Sequence, residues 1–293
     1  MTLDQIRIFI AVAERLHVTR ASEALHLTQS AVSASIASLE RQYNVQLFRR
    51  VGRGIHLTEA GSIFLEEARA LVAHADSTRL SLSDLGAETR GRIRIHASQT
   101  VANYWLPPFL VQLHERHPGI EIKLKVGNTS EVAKAVHDLS ADIGFVEGEI
   151  TEGGLDRHQV ASDDLVMFMR KEHPLSQRSW IGPRDYRGQK WILREVGSGT
   201  RSAFIAHLER LGMSADELDI IFDLPSNEAV LAAVASSECV TVLSRRAASG
   251  ATAFGRLKMV PLQKAHRAFA MLLHPEKRRT RAVAALVDFI KAS

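Results

Sequence analysis

The sequence predicts an α/β protein in two parts, a small helical N-terminal part with one hairpin and a larger part in which strands and helices alternate. Three observations carry this. Residues 3–43 place apolar side chains at helical spacing, with polar residues at the breaks. A hairpin pattern with two glycines, Gly52 and Gly54, follows, and one long amphipathic helix starts at Thr58. Beyond Gly91, short alternating runs are each followed by a polar turn and a helical pattern, the grammar of a mostly parallel sheet covered by helices.

The first helix lines up Leu3, Ile6, Phe9, Ile10 and Ala13. Thr19 is the expected cap of a short helix ending at Leu25, with Ser22 and Glu23 in its first turn. His26-Leu27-Thr28 is too short for an element and reads as a turn. Thr28 then caps a helix over 29–43, whose apolar stripe is Val32, Ile36, Leu39 and Tyr43. The rest of that helix shows Gln29, Ser30, Ser33, Ala34, Ala37 and Ser38, a thin and uncharged face. Leu47-Phe48-Arg49-Arg50 leads into a hairpin with Arg53 between the two glycines of its tip. From Thr58 an amphipathic pattern runs about 28 residues, about 40 Å, which is too long for a small domain and favours pairing with a second copy; the competing reading is two shorter helices packed within one monomer.

After Gly91 come a strand at 92–97, a polar turn at 98–100, a helix at 106–117, a strand at 120–126, a polar turn at 127–130, a helix at 131–139 and a buried strand at 141–146. Strands at 165–170, 190–194, 219–223 and 239–244 follow, with polar loops at 196–200 and 225–227 and helices at 201–211 and 228–236. A strand at 267–274 and a helix at 279–291 close the chain. Two α/β units of this kind, with the chain end returning to the first, give two lobes and a cleft. The expected division is 1–58, 59–90 and 91–293, with lobe I at about 91–161 and 267–293 and lobe II at about 162–266.

Composition narrows the function. Of 293 residues, 45% are hydrophobic and 24% charged, an ordinary globular balance that excludes a disordered chain. The single cysteine, Cys239, permits no internal disulfide and no cysteine zinc site. No positively charged leader with a long apolar run follows Met1, so no signal peptide is expected, and no apolar run reaches membrane-spanning length. The net charge of +4 does not single out a nucleic-acid binder. Its distribution says more: residues 1–58 carry seven arginines against four acids, and residues 59–90 three against six. No nucleophile elbow, P-loop or dinucleotide glycine fingerprint is present.

The run Thr19-Arg20-Ala21-Ser22-Glu23-Ala24-Leu25-His26-Leu27-Thr28-Gln29-Ser30-Ala31-Val32-Ser33, continued by Ile36, Leu39-Glu40, Leu47-Phe48-Arg49-Arg50 and Leu57-Thr58-Glu59-Ala60-Gly61, resembles the LysR-type transcriptional regulators. The resemblance extends over the whole chain. It implies a winged helix-turn-helix, a long linker helix for dimerisation, and a two-lobed effector-binding domain of the periplasmic-binding-protein kind. Arg194-Glu195-Val196-Gly197-Ser198-Gly199-Thr200-Arg201 and Ser226-Asn227-Glu228-Ala229-Val230 resemble the subgroup of sulfur-assimilation and carbon-fixation regulators. The chain departs from the family at Val196, where proline is common, and at Ala235-Ser236-Ser237-Glu238-Cys239, where a glycine-rich stretch is frequent.

Two sites follow. The DNA-binding candidates are Thr28, Gln29, Ser30, Ser33, Ala34 and Ser38 on the second helix of the motif, with Arg49, Arg50 and Arg53 on the wing. Glutamine reads adenine bidentately, alanine touches a thymine methyl, and arginines near a wing tip meet phosphates or the minor groove. The competing reading is a solvated helix face and surface arginines. The effector candidates are Ser98, Gln99, Thr100, Thr129, Ser130, Ser198, Gly199, Thr200, Arg201 and Asn227. They lie in polar turns between strands and helices, where amides and helix dipoles favour an anion. Taken singly, each such turn also reads as a helix cap. Glu147 and Glu149, close after the third strand, are the acids that weigh against an anion.

The reading is a cytoplasmic, ligand-responsive transcription regulator, not an enzyme. Its expected partners are double-stranded promoter DNA, a small anion or carboxylate effector, further copies of itself in a dimer or more often a tetramer, and RNA polymerase. No cofactor, metal or membrane is expected. The competing class is a solute-binding or enzymatic α/β protein with an accessory helical domain.

Overall fold

The computed structural model describes residues 1–51, 54–83, 90–148, 150, 153–248 and 255–292. Arg53, Glu149 and the stretch 84–89 at the end of the expected linker lie outside the described residues. The chain divides into two compact units, Met1–Leu85 forming the first, Gly86–His137 and Ala141–Ser293 the second.

In the first unit α1 spans Leu3–Arg15, α2 Val18–Leu25 and α3 Gln29–Tyr43. Each stops on a residue in the left-handed region: Leu16, His26 and Asn44, with φ of 46°, 54° and 52°. Thr2 and Gln5 form a capping box on α1. Thr28 Oγ1 accepts from the Ala31 amide at 3.2 Å, as the sequence predicts. The expected cap at Thr19 is corrected. α2 starts two residues earlier, its cap is His17, and the imidazole Nδ1 accepts from the Arg20 amide at 3.4 Å. Thr19 instead lends its carbonyl to the Ser22 hydroxyl.

The core of this unit joins Ile6, Phe9, Ala13, Leu39, Leu47 and Ala68, with Val12, Ala21 and Val32 beside them. Leu3 and Tyr43, expected on the buried stripes, are 40% and 54% exposed. Strands β1 (Phe48–Val51) and β2 (Gly54–Leu57) pair antiparallel. Their entry is fixed by Glu40, whose carboxylate accepts from the Leu47 and Phe48 amides at 2.7 and 3.1 Å. Helix α4 (Glu59–Ser83), 25 residues and about 38 Å long, begins under Thr58, which accepts from the Gly61 amide and donates to the Gln46 carbonyl. A side chain at Gly61 would overlap the Leu47 carbonyl oxygen, so only glycine lets α4 meet the hairpin here.

The second unit is built on a six-stranded mixed sheet. Its elements are β3 (Gly91–Ser98), α5 (Gln99–Tyr104), α6 (Pro107–Arg116), β4 (Ile120–Gly127), α7 (Thr129–His137), β5 (Ile143–Glu147), β6 (Asp156–Arg170), α8 (Pro183–Tyr186), β7 (Lys190–Arg194), α9 (Gly199–Arg210), β8 (Asp219–Leu224), α10 (Asn227–Ala235), β9 (Thr241–Ser244), β10 (Leu257–Leu273) and α11 (Arg281–Lys291). The sheet order is β4-β3-β5-β10-β6-β9, with β3 parallel to β4 and β5, and β10 antiparallel to β5 and β6. A parallel pair, β7-β8, joins by a bridge from Trp191 to Val240, just before β9.

Two strands are much longer than the sequence predicts. β6 reaches back to Asp156 and β10 to Leu257, and together they form the ribbon that runs through both lobes. Their first halves are masked in the sequence by charge and by Pro261. The ribbon absorbs these through register shifts between Pro261 and His266 and again at Phe269–Ala270, with Lys264 at φ 56°. The turns at 98–100 and 127–130 are also corrected: Ser98 ends β3 and Gly127 ends β4, Gln99 and Thr100 lie in α5, Thr129 and Ser130 open α7, and only Asn128 lies between elements. The apolar packing splits along the ribbon. Ile93, Ile95, Phe145, Phe269, Met271 and Leu286 share one cluster, while Leu165, Met167, Trp191, Phe204 and Ala265 share another.

Inside the second cluster Tyr186 Oη and His207 Nε2 are 2.8 Å apart. Burial, with Arg210 adding to it, holds the His207 imidazole below its ordinary pKa. A lowered histidine contributes its full stability above its unfolded value of about 6.5 and loses it as the pH falls below that. His96 is lowered too, first by burial and then by Lys125. Heat unfolding is therefore expected a few degrees lower at pH 5 than at pH 7. His207→Gln, which keeps a polar partner for Tyr186, should flatten that slope; an unchanged slope would show that His207 is not among the groups that titrate.

Candidate functional sites

Gln29, Ser30, Ser33 and Ala34 are exposed on one side of α3, with Ser38 half-buried beyond them. Thr28 Oγ1 and Ser30 Oγ are 3.1 Å apart, so the cap hydroxyl and its neighbour share a proton at the helix start. A surface cavity of about 340 Å³ gathers Leu16, His17, Val18, Thr19, Gln29, Arg50, Gly54 and Ile55. It brings the first residue of α3 beside the wing and beside the α1–α2 turn, which sequence reasoning did not connect. Arg49 and Arg50 face opposite His56 and Ile55 in the hairpin register. Successive strand residues point to opposite faces, so Arg50 joins Gln29 while Arg49 leaves on the other side.

The second site lies between the lobes of the larger unit, where the first turns of α5, α7, α9 and α10 converge. Thr100 Oγ1 is 3.5 Å from Thr200 Oγ1 and accepts from Asn227 Nδ2 at 3.4 Å. Gln99 Oε1 accepts from the Asn227 amide at 2.7 Å, and the Ser130 amide donates to the Gly197 carbonyl at 3.3 Å. Ser98, Thr100, Thr129, Ser198, Gly199, Thr200 and Asn227 are all buried. Ser130 is exposed and contributes only its backbone. Gln99 sits at the edge, its amide reaching Glu228 at 3.2 Å beside the Tyr104 hydroxyl, which donates to the same carboxylate at 2.8 Å. Burial, and then that carboxylate, push the Tyr104 pKa well up.

The centre of the cleft holds Glu147, the acid that weighs against an anion, together with two charges that the sequence reading did not assign to it, Asp163 and Arg267. Glu147 is 1% exposed, Asp163 5% and Arg267 8%. The Glu147 carboxylate accepts from the Ser98 hydroxyl and, at 3.4 Å, from Thr200 Oγ1. Its backbone carbonyl accepts from Thr129 Oγ1 at 2.9 Å. Arg267 Nη1 donates to Thr200 Oγ1 at 3.0 Å and lies 3.9 Å from Glu147, while its Nε and Nη2 face Asp163 at 2.9 and 2.8 Å. Ser244 donates to the other Asp163 oxygen. Arg201, expected as the cation of the site, is engaged elsewhere, with Asp223 at 2.5 Å and the Arg194 carbonyl at 2.9 Å. Arg194 in turn holds Asn227 Oδ1 at 2.7 Å.

A pattern signal marks all three central charges. Glu147 continues the inward alternation Ile143, Phe145; Arg267 precedes Phe269, Met271 and Leu273 on one face; Asp163 precedes Leu165, Met167 and Met169. A charged residue that falls on the buried parity of a strand must be paired, and a mutually paired set is what the cleft contains.

A family profile described as the LysR substrate binding domain matches residues 86–293, and one described as a bacterial regulatory helix-turn-helix protein of the lysR family matches residues 3–62. The chain is a member of the LysR family. It is 34% identical over 295 residues to the HTH-type transcriptional regulator YeiE of Escherichia coli, covering 99% of this chain and 97% of that one. It is 32% identical to the HTH-type transcriptional regulator CysL of Bacillus subtilis over 84% of this chain and 81% of that one. Among solved structures, full-length CbnR complexed with its target DNA shares the fold with a TM-score of 0.73 at 19% identity, over 100% and 99% of the two chains. The regulatory domain of Synechocystis CcmR in complex with 2-PG matches at TM-score 0.63 and 26% identity, over 69% of this chain and 97% of that one. As a member of this family the chain is a ligand-responsive transcriptional regulator; the families and relatives it matches are transcriptional regulators, not enzymes.

Gly199 sets how closely the lobes of this regulator meet. A side chain there would overlap the Glu147 carbonyl oxygen and the Thr129 hydroxyl. Gly199→Ala is expected to cost about 1–3 kcal/mol by overpacking and to part the lobes. Small-angle scattering and heat unfolding of the full chain check this. An unchanged scattering curve with an unchanged Tm would show that the contact relaxes without opening.

Proposed function

We propose that this regulator senses a small anion or carboxylate metabolite in the cleft between its two lobes. The observation that carries the reading is the set of buried polar side chains offered from both sides: Ser98, Thr100 and Thr129 from one lobe, Ser198, Thr200 and Asn227 from the other, with Arg267 between them. Helix N-termini converge there, and their amides favour negative charge. The 2-PG bound by the CcmR regulatory domain supports an anionic ligand for this kind of cleft. Arg267 takes the role first expected of Arg201.

DNA reading falls to Gln29, Ser30, Ser33, Ala34 and Ser38, with Thr28 as the cap and with Arg49, Arg50 and Arg53 on the backbone or minor groove. α4 carries Ile63 and Leu71 at 62% and 43% exposure, apolar surface that suits pairing with a second copy. A dimer, and a tetramer if the larger units also pair, would place the reading heads on a pseudo-palindromic site. In this reading RNA polymerase is the downstream partner, and the protein works in the cytoplasm beside the DNA.

Two variants separate the two sites. Gln29→Ala is expected to cost about 1–3 kcal/mol on a selected operator and much less on random DNA, if the amide makes a bidentate base contact. Thr100→Val is expected to weaken binding of a metabolite identified by calorimetric screening by roughly tenfold, the scale of a lost buried hydrogen bond. Equal losses of Gln29→Ala on specific and random DNA would remove base readout from this position. Unchanged metabolite affinity in both Thr100→Val and Ser198→Ala would move the ligand out of the cleft.

A further inference from the structure

A buried carboxylate is an unusual neighbour for an anion, and the hydrogen bonds around Glu147 show what it demands. Arg267 donates from Nε to Asp163 and pairs with it in charge through Nη2 at 2.8 Å; Ser244 also serves Asp163, and the half-exposed Arg246 lies 3.9 Å from it. Nη1 is 3.0 Å from Thr200 and 3.9 Å from Glu147, and the buried Nη2 has no hydrogen-bond partner among the described residues. The Arg267 charge is thus closely matched by Asp163. Glu147 draws its donors from hydroxyls, Ser98 on one oxygen and Thr200 on the other. These are the same protons that an anion entering the cleft would take.

An acceptor-only ligand would strip Glu147 of its donors and set negative oxygens against it in an enclosed site, where unmet polar groups are costly. A ligand with its own O–H reverses this. It donates to the Glu147 oxygen that Thr200 serves at 3.4 Å and releases the Thr200 proton to its remaining oxygens, while Ser98 keeps the other Glu147 oxygen, so every group stays bonded. Ser198 is an independent sign of a donor available to such a ligand. Its side chain is 2% exposed, makes no cap bond at the start of α9, and its Oγ has no hydrogen-bond partner among the described residues.

We propose that Glu147 makes the cleft selective for an oxyanion that retains an O–H at neutral pH, with Glu147 accepting that proton's hydrogen bond and Ser198, Thr200 and Arg267 donating to the other oxygens. This rests on the reading of the cleft as an anion site and adds the protonation state of the ligand. Asp163 does not share the role, because Arg267 and Ser244 already fill both of its oxygens.

Two probe pairs of matched shape test it on the full-length protein by calorimetry at pH 7: inorganic phosphate against sulfate, and hydrogen carbonate against nitrate. The first of each pair carries a proton and the second does not. The wild type is expected to bind the protonated member roughly tenfold or more tighter, the scale of discrimination a buried hydrogen bond gives. Glu147→Gln, whose amide can donate, is expected to gain sulfate or nitrate binding and to bring the ratio toward one. The wild-type ratios stand as a test even where that variant fails to fold. Sulfate or nitrate bound as tightly as its partner, or a ratio unchanged in a folded Glu147→Gln protein, would overturn the proposal while leaving an anion-sensing cleft. Binding of neither protonated probe would overturn it as well; the anion reading would then stand or fall by the metabolite screen with Thr100→Val and Ser198→Ala.

Discussion

The larger unit depends on one constraint: charge enclosed between two lobes must be paired across them. Glu147 ends a strand of one lobe, Asp163 and Arg267 sit on the ribbon that passes through both, and Thr200 opens a helix of the other. The Thr200 hydroxyl lies between Arg267 and Glu147 and joins them across the lobes. Breaking one member would leave a buried charge with its desolvation cost and no partner. The cluster therefore holds the lobes in one arrangement, and anything that exchanges hydrogen bonds with it acts on that arrangement.

Glycines permit the approach that the charges require. Gly199 places the α9 start against the Glu147 carbonyl, and Gly148, at φ 81°, turns the chain away immediately after that residue. The N-terminal unit uses the same economy at another scale. Glu40 ties α3 to the hairpin, Gly61 lets α4 pass the Leu47 carbonyl, and the face that carries Gln29 is left free of core duties. Rigid support behind an uncommitted polar face is what base reading requires, since a helix must be held in register before its side chains can discriminate.

Much of this was legible in the residues. Helical spacing, the Thr28 cap and the glycine-bearing hairpin placed every element of the first unit, with an error of two residues at α2, where a histidine does the work usually given to serine or threonine. The strand–helix alternation placed most of the second unit, except the short helices α5 and α8 and the first halves of β6 and β10, which charge and a proline concealed. The cleft was half legible. Polar residues at strand ends pointed to Ser98, Thr100, Thr129, Thr200 and Asn227, because local grammar marks them. Arg267 and Asp163 were missed because their meeting depends on two strands about a hundred residues apart, and Arg201 was favoured because it is adjacent in sequence to the loop. Strand parity held the missing signal, since all three central charges fall on buried positions.

If a ligand in this cleft governs DNA binding, closure of the cleft and operator binding are one coupled equilibrium, and coupling between two sites is reciprocal. Two amides report closure directly: Ser130, bonded to the Gly197 carbonyl, and Asn227, bonded to the Gln99 side chain, each across the lobes. Their hydrogen exchange, measured in the free protein and on operator DNA chosen by selection from random duplexes, is the most direct test. The account predicts that both rates change on operator binding, in the same direction and by a common factor, and that random DNA leaves them where they were. Rates at both amides that are the same with and without operator would contradict it.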